Sequence, residues 1–181
     1  MKGSTLTLKK FKKKWTKEFY QNLSINQVHQ YLDIPVNSFF SFEEWLKNME
    51  WLVLLGDAYH WIAFNQENKM IGGIIAHRLT EEENIVEIGT WISRDNWGRG
   101  YNIRIKNEAA KFLFEMHHVE QIILFVQDTN QRAIAALQKI PYVKRMEEGE
   151  LKHTILSYWK WKEFKLGIPL LLFQIKKEDF F

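Results

Sequence analysis

The chain has 181 residues, of which 46% are hydrophobic, 15% aromatic and 26% charged, and its net charge is +3. That composition belongs to a packed globular chain, and so small a charge on this length names no polyanionic partner. With no cysteine, disulfides, thiolate nucleophiles and zinc–thiolate sites are excluded, so any chemistry falls to carboxylate, imidazole, hydroxyl or backbone groups and a reducing cytoplasm is the expected location.

Residues 1–8 carry neither the apolar run nor the small-residue cleavage site of a signal peptide, and the apolar run 168–173 is too short to cross a bilayer. A soluble, cytoplasmic protein with no membrane contact is expected. The one charge run is Lys9, Lys10, Lys12, Lys13 and Lys14 around Phe11. It is read as the solvated face of a strand end and a first helix, because no stacking or helix-turn-helix pattern joins it to make a nucleic-acid contact. Apolar spacing predicts helices over 15–23, 25–32 and 42–51, with Pro35 breaking one join. Ser41 is the expected N-cap of the third, and Glu44 sits three residues later as in a capping box. Strand patterns follow over 59–64, 70–78 and 84–93, joined by polar turns at 65–69 and 80–83, so these strands should be antiparallel neighbours. A helix over 101–116, a strand over 119–126 and a helix over 131–140 ended by Pro141 come next. A strand, helix, strand crossover of that size places one parallel pair inside an otherwise antiparallel sheet. Segments 151–161 and 168–175 read as two further strands. No repeat or linker divides the chain, so residues 1–181 are expected to form a single domain.

Chemistry concentrates where the strand Ile85-Val86-Glu87-Ile88-Gly89-Thr90-Trp91-Ile92 meets the turn Asp95-Asn96-Trp97-Gly98-Arg99-Gly100 and the helix behind it. A strand, a turn with two glycines and a helix start aim several backbone N–H groups and a helix dipole at one point, which suits a phosphate. Gly98 and Gly100 alone are also what a tight strand-to-helix turn needs. The dinucleotide fingerprint would require a third glycine where Ile103 stands, and the phosphate-loop pattern of nucleotide triphosphatases is absent.

The segments Glu87-Ile88-Gly89-Thr90-Trp91-Ile92 and Trp97-Gly98-Arg99-Gly100-Tyr101-Asn102 resemble the acetyl-CoA-binding motif of the GNAT superfamily, in particular its ribosomal-protein alanine N-acetyltransferase (Rim-type) branch. Asn130-Gln131-Arg132-Ala133, Leu137-Gln138-Lys139-Ile140-Pro141-Tyr142 and Met146-Glu147-Glu148-Gly149-Glu150-Leu151 are similar to later parts of the same pattern. The first half matches only in its order of elements. The resemblance implies an α/β fold with a mixed, mostly antiparallel sheet of six to seven strands, a central parallel pair splayed at the cofactor site and helices on both faces. It implies acetyl-CoA as cosubstrate, no metal, and direct transfer to a primary amine in a ternary complex. The backbone near Ile92 and Ser93 would pair with the pantetheine amides, as an added strand would. The loop Trp97, Gly98, Arg99, Gly100, Tyr101 and Asn102 would hold the pyrophosphate, Arg99 adding charge, and Asn130 would contact the cofactor arm. Asp95 stands where many members carry Gln or Arg, and Pro141 where they carry Gly.

Acetyl transfer needs a neutral amine, a polarised thioester carbonyl and a way for the thiolate to leave. Glu87, a carboxylate in an otherwise apolar strand, is the candidate base; the other reading pairs it with a neighbouring cation. A backbone N–H near Ile92 would polarise the carbonyl. The tyrosine acid of many relatives is Leu137 here, so either the thiolate leaves unaided or Tyr142 or Tyr158 substitutes. His77, His117 and His118 are read as capping or surface residues with no metal-ligand spacing, and Trp61, Trp91, Trp97, Trp159 and Trp161 as core or cleft walls. The acceptor is expected to be a protein amino terminus or a small amine, the partners to exclude nucleic acid, and the state to be monomer or homodimer. The alternative is an acyl-CoA-binding regulatory module without turnover.

Overall fold

Three apolar runs in the middle of the chain, β2 (Ala58–Phe64), β3 (Met70–Thr80) and β4 (Ile85–Ile92), lie side by side and antiparallel, as their short connections require. β2 and most of β4 are buried on both faces, so they read as continuous apolar runs and not as alternating ones. The computed structural model describes residues 6–80 and 84–181. Before these strands come β1 (Thr7–Lys10), α1 (Thr16–Leu23), α2 (Asn26–His29) and α3 (Phe39–Leu55). After them come α4 (Tyr101–Met116), β5 (Gln121–Gln127), α5 (Gln131–Leu137), β6 (Lys144–Met146), α6 (His153–Leu166), β7 (Leu170–Lys176) and α7 (Lys177–Phe180).

The seven strands form one sheet in the order β1-β2-β3-β4-β5-β7-β6, in which β4 and β5 are the parallel pair. On one face Ile105, Ala109 and Leu113 of α4 and Ile134 and Leu137 of α5 pack against Val86, Ile88 and Ile92. On the other, Phe19 of α1 and Phe42 and Leu46 of α3 close over Trp91, while Ile155 and Trp159 of α6 close over Ile85 and Ile123. Odd-numbered β4 residues thus face α1, α3 and α6, and even-numbered ones face α4 and α5.

Two expectations are corrected. Segment 151–161 is not a strand: most of it belongs to α6, which Gly167 ends in a left-handed conformation (φ 67°). Its aromatic and β-branched content imitates a strand, but its buried residues, Ile155 and Trp159, are four apart and share a helix face. The sheet's extra strands are instead β1 and the three-residue β6. Nor does Ser41 cap α3; Ser38, with extended backbone, accepts the Ser41 N–H at 3.0 Å and the helix starts at Phe39. In the basic run Lys10, Lys12, Lys13 and Lys14 are exposed, and Lys9 and Lys13 reach Asn68 and Glu50.

Candidate active site

β4 and β5 pair over only three positions, ending at Glu87 and Ile123. Beyond that point β4 stays with β3 as far as Ile92, and β5 stays with β7 as far as Gln127. The two strands therefore diverge into a V with Glu87 at its base. The direction of the β4 backbone along the V is fixed from the far side. Ser93 donates its N–H to the Ile71 carbonyl at 3.0 Å, so by alternation the N–H and C=O groups of Ile88, Thr90 and Ile92 point into the gap. Ile92 gives its carbonyl to the Trp97 indole N–H at 2.8 Å and keeps its own N–H facing the gap. Ser93 is committed elsewhere: its N–H and hydroxyl both donate to Ile71, and its carbonyl accepts from Asn96.

At the wide end, Gly98 and Gly100 both adopt φ 74°, which a side chain would strain. Gly100 has no side chain to cap α4, so the positive end of the helix dipole meets the turn without a side-chain cap, which suits an anion. The Trp97 ring is flanked by two guanidinium groups, Arg132 at 3.4 Å and Arg94 at 4.4 Å from its centroid. Arg94 donates to the Gln27 side chain, and among the described residues no carboxylate pairs with either arginine. Burial, then the charge of Arg94, makes the Arg132 cation less favourable than usual, so an anion arriving here relieves repulsion as well as gaining attraction. Asn130 caps α5 by accepting the Ala133 N–H at 3.2 Å, and it lines the same cleft as Trp97, Gly98, Gly100, Tyr101 and Asn102. The Arg99 side chain is exposed and lies outside the lining.

At the narrow end, Glu87 is 9% exposed. Its carboxylate accepts the Tyr158 hydroxyl at 2.8 Å and an ammonium hydrogen of Lys162, both from α6. Burial, and then the charge of Glu87, pushes the Tyr158 phenol up, so it stays protonated as a donor. His77 pairs with Glu87 across β3 and β4 and lines the cleft; burial holds its imidazole below the usual value, against the opposing pull of Glu87. A second pair, Lys165 to Asp33 at 2.7 Å, crosses the α6 side of the cleft beside Trp161. Tyr142 is not brought to this place: its hydroxyl donates to Asn107 and its ring packs on Phe180, outside the cleft.

The whole cleft encloses about 1380 Å³, more than the roughly 300–1,000 Å³ of a pocket for one small ligand. Its lining runs from Gly98, Gly100 and Arg132 at the wide end to Glu87, Tyr158 and Lys162 at the narrow end. The sequence assigned no role to Arg132, Lys162 or Lys106. Lys162 follows Tyr158 by four residues, a signal that appears only once 153–166 is read as helix. Among the described residues no helix is long and apolar enough to cross a membrane.

In solved structures the same fold recurs. Spermidine N-acetyltransferase from Vibrio cholerae, in complex with CoA and spermine, superposes with a TM-score of 0.75 at 14% identity, covering 97% of each chain. RimL, a ribosomal L7/L12 alpha-N-protein acetyltransferase, superposes with a TM-score of 0.74 at 15% identity over 95% of this chain and 90% of its own. At such identities the likeness is one of fold. The sequence itself matches the acetyltransferase (GNAT) domain over residues 5–142. A V opened beside a glycine turn, in a chain that carries this domain over most of its length, makes the protein an acyltransferase that belongs to the GNAT acetyltransferase family.

Proposed function

We propose that the chain transfers the acetyl group of acetyl-CoA to a primary amine, directly and within a ternary complex. The observation that carries this reading is the V between β4 and β5: the backbone of Ile88, Thr90 and Ile92 offers strand-like hydrogen bonds that lead from the Gly98–Gly100 turn to Glu87. Acetyl-CoA would lie along that edge, its amides adding to β4 as a strand does, its phosphates on the turn and the Arg94–Arg132 pair. The N–H groups facing the gap would polarise the thioester carbonyl. The acceptor would enter from the α6 side, where Glu87, held by Tyr158 and Lys162, takes the proton the amine gives up. A cytoplasmic site of action accords with a chain that has no cysteine.

For the acceptor we favour a protein amino terminus over a polyamine. Among the described residues, the two carboxylates that line the cleft, Asp33 and Glu87, are each already paired with a lysine, Lys165 and Lys162. A polycation would have to displace those lysines to find counter-charges, whereas a single terminal amine needs only Glu87. The test is CoA release, followed as free thiol, with peptides of varied amino terminus, spermidine and simple amines. Release with peptides at rates well above spermidine is expected. Tight binding of acetyl-CoA with no release for any amine would instead make the protein a binding module.

A further inference from the structure

Thr90 lies halfway along the open stretch of β4, with its side chain on the α4 face. The Asn102 amide donates to its hydroxyl oxygen at 3.1 Å, and the Lys106 ammonium donates to the same oxygen at 2.5 Å. Lys106 also donates to the Asn102 side-chain oxygen, which closes a three-residue ring. A hydroxyl oxygen has two acceptor positions and one hydrogen. Both acceptor positions of Thr90 are taken by α4 donors, which leaves its own hydrogen to donate, and Thr90 lines the cleft. Among the described residues no acceptor receives it. Lys106 itself is 6% exposed, and its two partners are neutral.

We propose that Thr90 donates its hydroxyl hydrogen to the sulfur that leaves when the thioester breaks, and that Lys106, through Thr90, is the source of that proton. The proposal rests on the acetyl-transfer reading above and supplies the proton donor that Leu137 cannot be. As the acceptor nitrogen bonds to the carbonyl carbon, the carbon–sulfur bond breaks and its electron pair stays on sulfur. Sulfur takes the Thr90 hydrogen, the Thr90 oxygen takes one from Lys106, and the acceptor nitrogen loses its proton to Glu87. Once the products leave, Lys106 regains a proton from water and Glu87 gives one up.

Burial supports this role, because it lowers Lys106 from 10.5 to about 7, where an ammonium parts readily with a proton. The groups that face it are Thr90 from β4 and Asn102 from α4. The charged side chains of the neighbouring elements turn elsewhere: Glu87 to α6, Arg104 toward the Tyr101 ring, and Arg132 of α5 onto Trp97.

The test compares wild type with Lys106→Met, Thr90→Val and Thr90→Ser in two measurements. In the pH profile of kcat, the wild type should lose rate as pH rises through about 7, since the donor must be protonated. Lys106→Met and Thr90→Val should lose that limb and fall in kcat by on the order of 100-fold, while Thr90→Ser keeps the limb. In calorimetry without turnover, the wild type should bind CoA roughly tenfold or more tightly than desulfo-CoA, a preference both damaged variants lose and Thr90→Ser retains. Equal binding of the two ligands by wild type would overturn the proposal, as would a Lys106→Met enzyme with raised KM but an intact limb and kcat. A wild type that prefers CoA yet turns over no amine would defeat the acetyl-transfer reading and with it the proton's destination, while still placing the Thr90 hydrogen at the sulfur.

Discussion

Replacing Lys106 with methionine should make the protein more stable at neutral and mildly acid pH, although it deletes two hydrogen bonds. The fold buries an ammonium among neutral partners, and burial lowers its proton affinity from 10.5 to about 7. The unfolded chain holds this proton up to about 10.5, so between about 7 and 10.5 the unfolded state binds more protons and stability rises with pH. Below about 7 the folded protein bears the full cost. At about 1.4 kcal/mol per tenfold change in affinity, that cost approaches ~5 kcal/mol. A methionine of similar length keeps most of the packing, and the lost hydrogen bonds give back roughly 1–2 kcal/mol. The variant should therefore exceed wild type by roughly 2–4 kcal/mol at pH 6, with the gap closing toward pH 10. Urea unfolding of both proteins across that range, compared at equal m-values, measures it. A difference that does not vary with pH, or a less stable variant at pH 6, would refute the reasoning.

Three other substitutions probe the rest of the site. Lys162→Met strands the buried carboxylate of Glu87 and should destabilise by about 3–5 kcal/mol, most of it recovered in the double variant with Glu87→Gln; additive denaturation energies would mean the pair is not coupled. Arg132→Ala should weaken CoA binding by about tenfold at low salt and less at high salt, and calorimetry showing no change would remove the arginine pair from the anion seat. Gly73→Ala would bring a methyl group to 2.6 Å from the Trp91 indole nitrogen and 2.9 Å from the Trp61 carbonyl oxygen. It should cost about 1–3 kcal/mol in thermal or urea unfolding, and a neutral result would contradict that close approach.

The wide end of the V was legible because it is local. Ile85 to Met116 carries its strand, its left-handed glycines and its helix in one stretch, and the expected helix 101–116 coincides with α4. The narrow end was not, because it is assembled from afar. Glu87 could be singled out, but its partners Tyr158 and Lys162 come from α6, 71 and 75 residues away. Both readings of Glu87 meet there, since the candidate base also holds a cation. The phase of the gap-facing backbone was hidden for a similar reason. Whether Ile92 or Ser93 faces the V depends on which of them pairs with Ile71 of β3, and that choice leaves no mark in the local sequence. Lys106 was hidden by its type: a lysine in a helix is ordinarily solvated, and only the packing of α4 against Thr90 buries this one.

The central claim is that acetyl passes straight from CoA to an amine within the V. Its most direct test is mass spectrometry of the protein mixed with acetyl-CoA and an amino-terminal peptide, following peptide, CoA and protein together. Acetylated peptide and free CoA should appear in equal amounts while the protein's own mass stays unchanged. Acetyl accumulating on the protein, or CoA appearing without acetylated peptide, would contradict direct transfer.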